Sequence, residues 1–208
     1  ALVIRLRQAL PSRFAFTVRA YVAAGLLLIP GIALGVLMAR GTSDATTYSQ
    51  LLLGHVTINL LGWVGLPILG TLVTLWPTML HTRLAPDAER QARRALPLLI
   101  GGTLVTTAGA LTGLDLLAAA GVAGYLIGIG LTVAPMVTEM RQRPPAVFAS
   151  WSALAGVVWL SGALVAFGVA SVAGWRARLP VPVPRLVAGG SGVVPMIADG
   201  MTFAIASL

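Results

Sequence analysis

Residues 95 to 138 form one apolar run of 44 residues, interrupted only by Gly113-Leu114-Asp115. A single α-helix of that length would measure about 66 Å, roughly twice the hydrocarbon thickness of a bilayer. The run therefore reads as a hairpin of two membrane-spanning helices. Gly113 suits the left-handed residue that ends the first helix, and Asp115 suits the N-cap of the second. The rest of the chain agrees with a lipid environment. It is 57% hydrophobic and 10% charged, whereas soluble domains carry about 25% charged residues and need them to cover their surface.

The remaining spans follow from the same reasoning. Residues 18 to 39 are apolar apart from Arg19 and long enough to cross once. The polar stretch from Gly41 to Gln50 reads as a loop, and a second span runs from about Leu51 to Leu80, with kinks expected at Pro67 and Pro77. His81 to Arg94 holds four Arg, one Asp and one Glu and reads as a solvated loop, with a short helix started at Asp87. Glu139 to Pro145 closes the fourth span, and a fifth follows from Ala146 to Ala173. The expected architecture is an all-α polytopic transmembrane helix bundle of five spans. It has three parts: an interfacial N-terminal arm (1–17), the bundle (18–175), and a Pro-rich connector (176–208) in which a partial sixth span over 186–208 is left open.

Orientation is read from arginine, because the chain has fourteen basic residues and no lysine among them. With the N-terminus in the cytoplasm, ten arginines face inside and four outside, which satisfies the positive-inside rule. The net charge of +8 is thereby accounted for by topology. No basic face is interleaved with aromatics, so nucleic acid is not an expected partner. The absence of cysteine excludes thiolate metal sites, disulfides and thiol catalysis. Membrane lipid is the expected environment, in a multi-pass protein of the cell membrane. The Gly124/Gly128 pair offers a small-residue face for helix packing or for homo-oligomers. Trp76, Tyr48 and Trp175 fall where interfacial aromatic belts are expected.

Few residues are left that could carry chemistry. His55 is the exception, an imidazole inside span two, about 6 to 8 Å below the outer boundary if that helix begins at Leu51. A histidine in hydrocarbon needs a partner. Asn59, Gly62 and Trp63 follow at helical spacing on the same face. One reading makes His55 a metal ligand, most plausibly to haem iron, with Asn59, Gly62 and Trp63 around the cofactor. The other makes it a hydrogen-bond donor to a carbonyl or hydroxyl across the bundle. His81 lies 26 residues further on, about 39 Å by helical rise, and reads as a solvated interfacial residue. Met38 and Met136 are both expected near the cytoplasmic ends of their spans, away from His55.

The segment Gly54-His55-Val56-Thr57-Ile58-Asn59-Leu60-Leu61-Gly62-Trp63-Val64-Gly65, continued by Leu69-Gly70-Thr71-Leu72-Val73-Thr74-Leu75-Trp76-Pro77-Thr78-Met79, resembles a known membrane region. That region stands ahead of the cupredoxin domains in actinobacterial multicopper oxidase and copper nitrite reductase-like proteins. The histidine followed by Asn-Leu-Leu-Gly-Trp is also similar to helices of haem-copper oxidase and nitric oxide reductase relatives, in which such a histidine binds haem. The resemblance runs from about Ser12 to Trp175. Two departures stand out: Thr57 occupies the place of a second histidine in related His-x-His helices, and the tail from Val181 follows no shared pattern.

What the resemblance implies is haem b on His55, no copper site within this chain, and an extracytoplasmic cupredoxin domain or subunit as partner. The chain would then be the electron-transfer or anchoring module of an oxidoreductase. The alternative is a non-redox membrane subunit or transporter-like module in which His55 and Asn59 hold helices together or line a path.

Overall fold

The structure, a computed structural model, describes residues 15–41 and 44–178. Among them, five helices are long and apolar enough to cross a membrane, and the described chain is all-helical. They are α1 (Ala15–Ala39), α2 (Ala45–Leu80), α3 (Ala88–Thr112), α4 (Asp115–Gln142) and α5 (Phe148–Arg178). The protein is therefore a multi-pass α-helical membrane protein. Ala15 to Thr17, expected in the arm, form the first turn of α1, where Phe16 is buried. The rest of the arm and the connector beyond Arg178, with the sixth span left open there, lie outside the described residues.

Helix boundaries extend beyond the apolar runs because capping residues and the backbone set them. Asp44 sits just before α2 with extended backbone, and its carboxylate accepts the N–H groups of Thr46 and Thr47 at 3.4 and 2.7 Å. These bonds satisfy amides that the first turn leaves without partners. α2 thus begins at Ala45, six residues before the apolar run, and much of the expected loop 41–50 is helix. α3 begins at Ala88, where the sequence predicts a helix started at Asp87, but that helix is the third span itself, so Arg90, Arg93 and Arg94 lie on its first turns; the Asp87 carboxylate makes no cap bond and accepts from Gln91.

Each of the first three helices is followed by a left-handed residue: Gly41 after α1, His81 after α2 and Gly113 after α3. Gly113 has φ 67°, with Leu114 N–H bonding Gly109 O at 2.9 Å and Gly113 N–H bonding Ala110 O at 3.4 Å, the double closure of a Schellman turn. The expected N-cap moves by one residue: Leu114 precedes α4 and Asp115 is its first helical residue, where a carboxylate still favours the helix dipole. The α3–α4 hairpin that results is the tightest pair in the bundle. A Cβ on Gly102 would stand 2.6 Å from Tyr125 N, and one on Gly109 or Gly121 would strike the Ala118 or Thr106 backbone nitrogen. Glycine is what lets these two backbones approach so closely.

α2 is a continuous helix whose register changes in the middle. Residues Ile58–Val64 are π-helical, between α-helical halves Ala45–Thr57 and Gly65–Leu80. Pro67 supplies a cause. A proline ring in an α-helix clashes with the carbonyl four residues earlier and offers that turn no N–H. Widening the preceding turn relieves the clash. Gly65 N–H accordingly reaches back to Leu60 O and also to Gly62 O. Leu61 O takes a different donor, the buried Tyr125 hydroxyl of α4 at 3.0 Å. Trp76, expected in an interfacial belt, is instead wholly buried and donates its indole N–H to Met136 O at 3.2 Å. Its ring fills the core between α2 and α4, and its one polar atom is satisfied there. Tyr48 and Trp175 are partly exposed, as belt residues are.

Candidate functional site

α1 and α2 run antiparallel, and the register of their contact can be followed residue by residue. From one end to the other, Gly35 faces His55, Gly31 faces Asn59, Leu27 faces Gly62, and Ala20 faces Gly70. Thr17 Oγ1–H donates to Gly70 O at 2.8 Å and closes the far end of the seam. Three of the four residues singled out in the sequence, His55, Asn59 and Gly62, therefore share the face turned to α1. Trp63 does not join them. It is 46% exposed and points away from the bundle, because the residue after Gly62 is turned about 90° to 100° further round the helix.

Gly31 and Gly35 form a notch in α1 that the two polar side chains of α2 fill. A Cβ on Gly31 would lie 2.7 Å from Asn59 Oδ1, and one on Gly35 would lie 3.0 Å from His55 Cε1. His55 Nδ1 stands 2.9 Å from Gly31 O. A carbonyl oxygen can only accept, so Nδ1 carries a proton and donates it. Asn59 Nδ2 lies 3.4 Å from the same Nδ1, a contact between two donors. Its real acceptor is His55 O, at 2.8 Å. Asn59 thereby ties its side chain to the backbone one turn back, at the start of the π-helical segment.

His55 is half-buried, and its Nε2 has no hydrogen-bond partner among the described residues. It is not sealed in either, since no buried side-chain nitrogen or oxygen there lacks a partner. The ring is thus oriented by a backbone carbonyl, with Nε2 unbonded among the described residues and not fully enclosed. Because α2 begins at Ala45, His55 stands about 15 Å along the helix from its start, beyond an exposed polar first turn.

The other possible ligands divide between the two ends. His81 is exposed beyond the opposite end of α2 and shares nothing with His55. Met136 also lies at that end, beside Trp76. Met38, expected there too, is at the His55 end: α1 runs towards it, and Met38 is one turn past Gly35. Among the described residues no group of three or more His, Asp or Glu gathers in metal-binding geometry. An apolar groove of about 430 Å³ lies between α4 and α5, lined by residues such as Val122, Leu126, Leu164 and Val169, away from His55.

The donor set at His55 fits one axial bond to haem iron. It has an imidazole whose Nδ1–H is tied to a backbone carbonyl, as in metal-bound histidines, and whose Nε2 makes no hydrogen bond among the described residues.

One buried charged residue had no signal in the sequence. Glu139, near the end of α4, is 1% exposed, and its Oε1 accepts the Ala85 N–H at 2.8 Å. By sequence it was one of several charges closing the fourth span. Only the fold of the α2–α3 turn brings Ala85 to it.

Comparison with protein families, with characterised proteins and with solved structures finds no match.

Proposed function

We propose that this chain is the membrane-embedded electron-transfer and anchoring module of a copper oxidase or nitrite reductase-like redox system, and that His55 holds haem b through Nε2. The observation that supports it is the hydrogen bond from His55 Nδ1–H to Gly31 O, which leaves Nε2 unpartnered at a half-buried seam. Haem bound there supplies a one-electron carrier at membrane depth.

The chain's own residues do the positioning. Gly31 O selects the tautomer and makes Nε2 a stronger donor to iron. Gly35 allows the ring to approach α1 closely, and Asn59 braces the His55 carbonyl. The resemblance adds the partner, an extracytoplasmic cupredoxin domain or subunit, and the cell membrane as location.

An absorption spectrum of the purified chain tests this reading. Wild type and His81→Ala should show a Soret band whose α and β companions sharpen on reduction, and His55→Ala should lose it. Equal haem content in wild type and His55→Ala rejects the assignment.

A second reading has its own observation. His55 and Asn59 fill the Gly31/Gly35 notch and hold α1 on α2, which is sufficient reason for a non-redox subunit to keep both. A featureless spectrum together with a lower melting temperature for His55→Ala supports it.

A further inference from the structure

The turn that joins α2 to α3 is anchored at both ends. His81 adopts the left-handed conformation, φ 53°, and Thr82 N–H bonds Pro77 O at 2.9 Å, so the chain reverses over the last turn of α2. At the other anchor, Ala85 is buried and gives its N–H to Glu139 Oε1 at 2.8 Å. Between these anchors, Thr82, Arg83 and Leu84 are laid back against Thr74, Leu75, Pro77 and Thr78. Together they line a cleft of about 540 Å³ at the arginine-rich end of the bundle.

The cleft combines one free cation with hydroxyls and apolar surface. Arg83 is exposed and forms no ion pair among the described residues. The nearby carboxylates are engaged elsewhere: Asp87 accepts from Gln91, Glu89 pairs with Arg93, and Glu139 holds Ala85. Thr74, Thr78 and Thr82 donate their hydroxyl protons to the carbonyls of Thr71, Thr74 and Pro77. They therefore offer lone pairs to a ligand's own O–H groups. Leu75 and Leu84 are 39% and 37% exposed and form the apolar part.

We propose that this cleft binds an anionic phospholipid. The phosphate lies on the Arg83 guanidinium, headgroup hydroxyls donate to Thr78 and Thr82, and the acyl chains follow Leu75 and Leu84. A guanidinium recognises a phosphate in planar, bidentate fashion. The arginines on the first turns of α3 raise the positive potential at the same end. A free phosphate shares the guanidinium chemistry and leaves the two leucines unused.

The test is native mass spectrometry of the purified full chain with phosphatidylglycerol or phosphatidylcholine, each with and without excess inorganic phosphate. Phosphatidylglycerol should be retained in preference and should survive the phosphate. Arg83→Gln should weaken its retention about fivefold, the worth of one arginine at an anionic surface. Arg90→Gln, exposed on α3 but outside the cleft, removes only part of the general positive potential and should weaken retention clearly less than Arg83→Gln. Arg83 is exposed, so its variant should melt with wild type, which separates lost binding from lost fold. Equal effects of the two substitutions, no preference for phosphatidylglycerol, or its displacement by inorganic phosphate would each overturn the proposal.

Discussion

Replacing Gly31 by alanine places a methyl group where the Asn59 amide now sits. The new Cβ would lie 2.7 Å from Asn59 Oδ1 and 2.8 Å from Nδ2, where ordinary contact begins at 3.4 Å. The amide must retreat by about 0.7 Å, which is enough to break its 2.8 Å bond to His55 O. A lost neutral hydrogen bond in a membrane bundle costs about 0.6 kcal/mol on average, and overpacking adds about 1–3 kcal/mol. We expect Gly31→Ala to lower the stability of the bundle in detergent by about 1.6–3.6 kcal/mol. Gly25→Ala, on the same helix with nothing within 4 Å, is the control and should be neutral. The assay is reversible unfolding followed by circular dichroism, with Asn59→Ala as a second background. Truncating Asn59 vacates the space, so Gly31→Ala should then cost little and the pair should show a coupling energy above about 1 kcal/mol. Equal penalties in the two backgrounds would show that Asn59 does not occupy the notch, and the described seam would be wrong.

His81→Gly should stabilise the chain by about 0.5–1 kcal/mol, because a left-handed cap suits glycine and no described hydrogen bond uses the imidazole; a thermal melt checks it. The topology expectation is read with single cysteines at exposed positions: Pro86→Cys should resist an impermeant reagent in intact cells and Thr46→Cys should react, and the reverse would invert the bundle. The Asp44 carboxyl is held below its ordinary pKa of 3.8, first by the Thr47 hydroxyl and then by the Thr47 N–H. A pKa lowered by folding means stability that is complete above the ordinary value and is lost as pH falls through the folded one. Asp44→Asn keeps a capping oxygen without the titration, so wild type should lose melting temperature against it in acid, below about pH 4. Identical acid profiles would remove the cap from that account.

The fold was largely legible because hydrocarbon imposes a length and a satisfied backbone on each span. The 44-residue run and its Gly113 break predicted the α3–α4 hairpin, and the left-handed Gly113 is there. Boundaries were less legible, since hydropathy marks where lipid is tolerated and not where a helix begins. α2 begins at Ala45, six positions ahead of the apolar run at Leu51, because Asp44 caps it among polar residues; the helix start read at Asp87 is there, but it opens the third span itself and not a short separate helix. Burial was also hidden. Trp76 and Glu139 have the composition of boundary residues, and both are core, because each finds one partner on a distant element: Met136 O for the indole and Ala85 N–H for the carboxylate. Such partners depend on how helices pack, which no local pattern contains.

At the site, helical spacing placed His55, Asn59 and Gly62 on one face correctly and carried Trp63 along with them. The π-helical segment was not visible, although its cause was: Pro67 stands three residues past that segment's last residue, Val64. That segment connects the two halves of the argument. It begins one residue ahead of Asn59, and its displaced Leu61 carbonyl is caught by Tyr125 of the rigid α3–α4 hairpin. The irregular turn next to the candidate ligand is therefore held from both sides, by α1 through the Gly31/Gly35 notch and by α4 through Tyr125. A π-turn in a membrane helix leaves carbonyls that must find donors. Here the Leu61 carbonyl accepts the proton of the buried Tyr125 hydroxyl. The turn that Pro67 imposes on α2 is thus fastened to two other helices, and the same contacts fix where the His55 turn sits against Gly31 and Gly35.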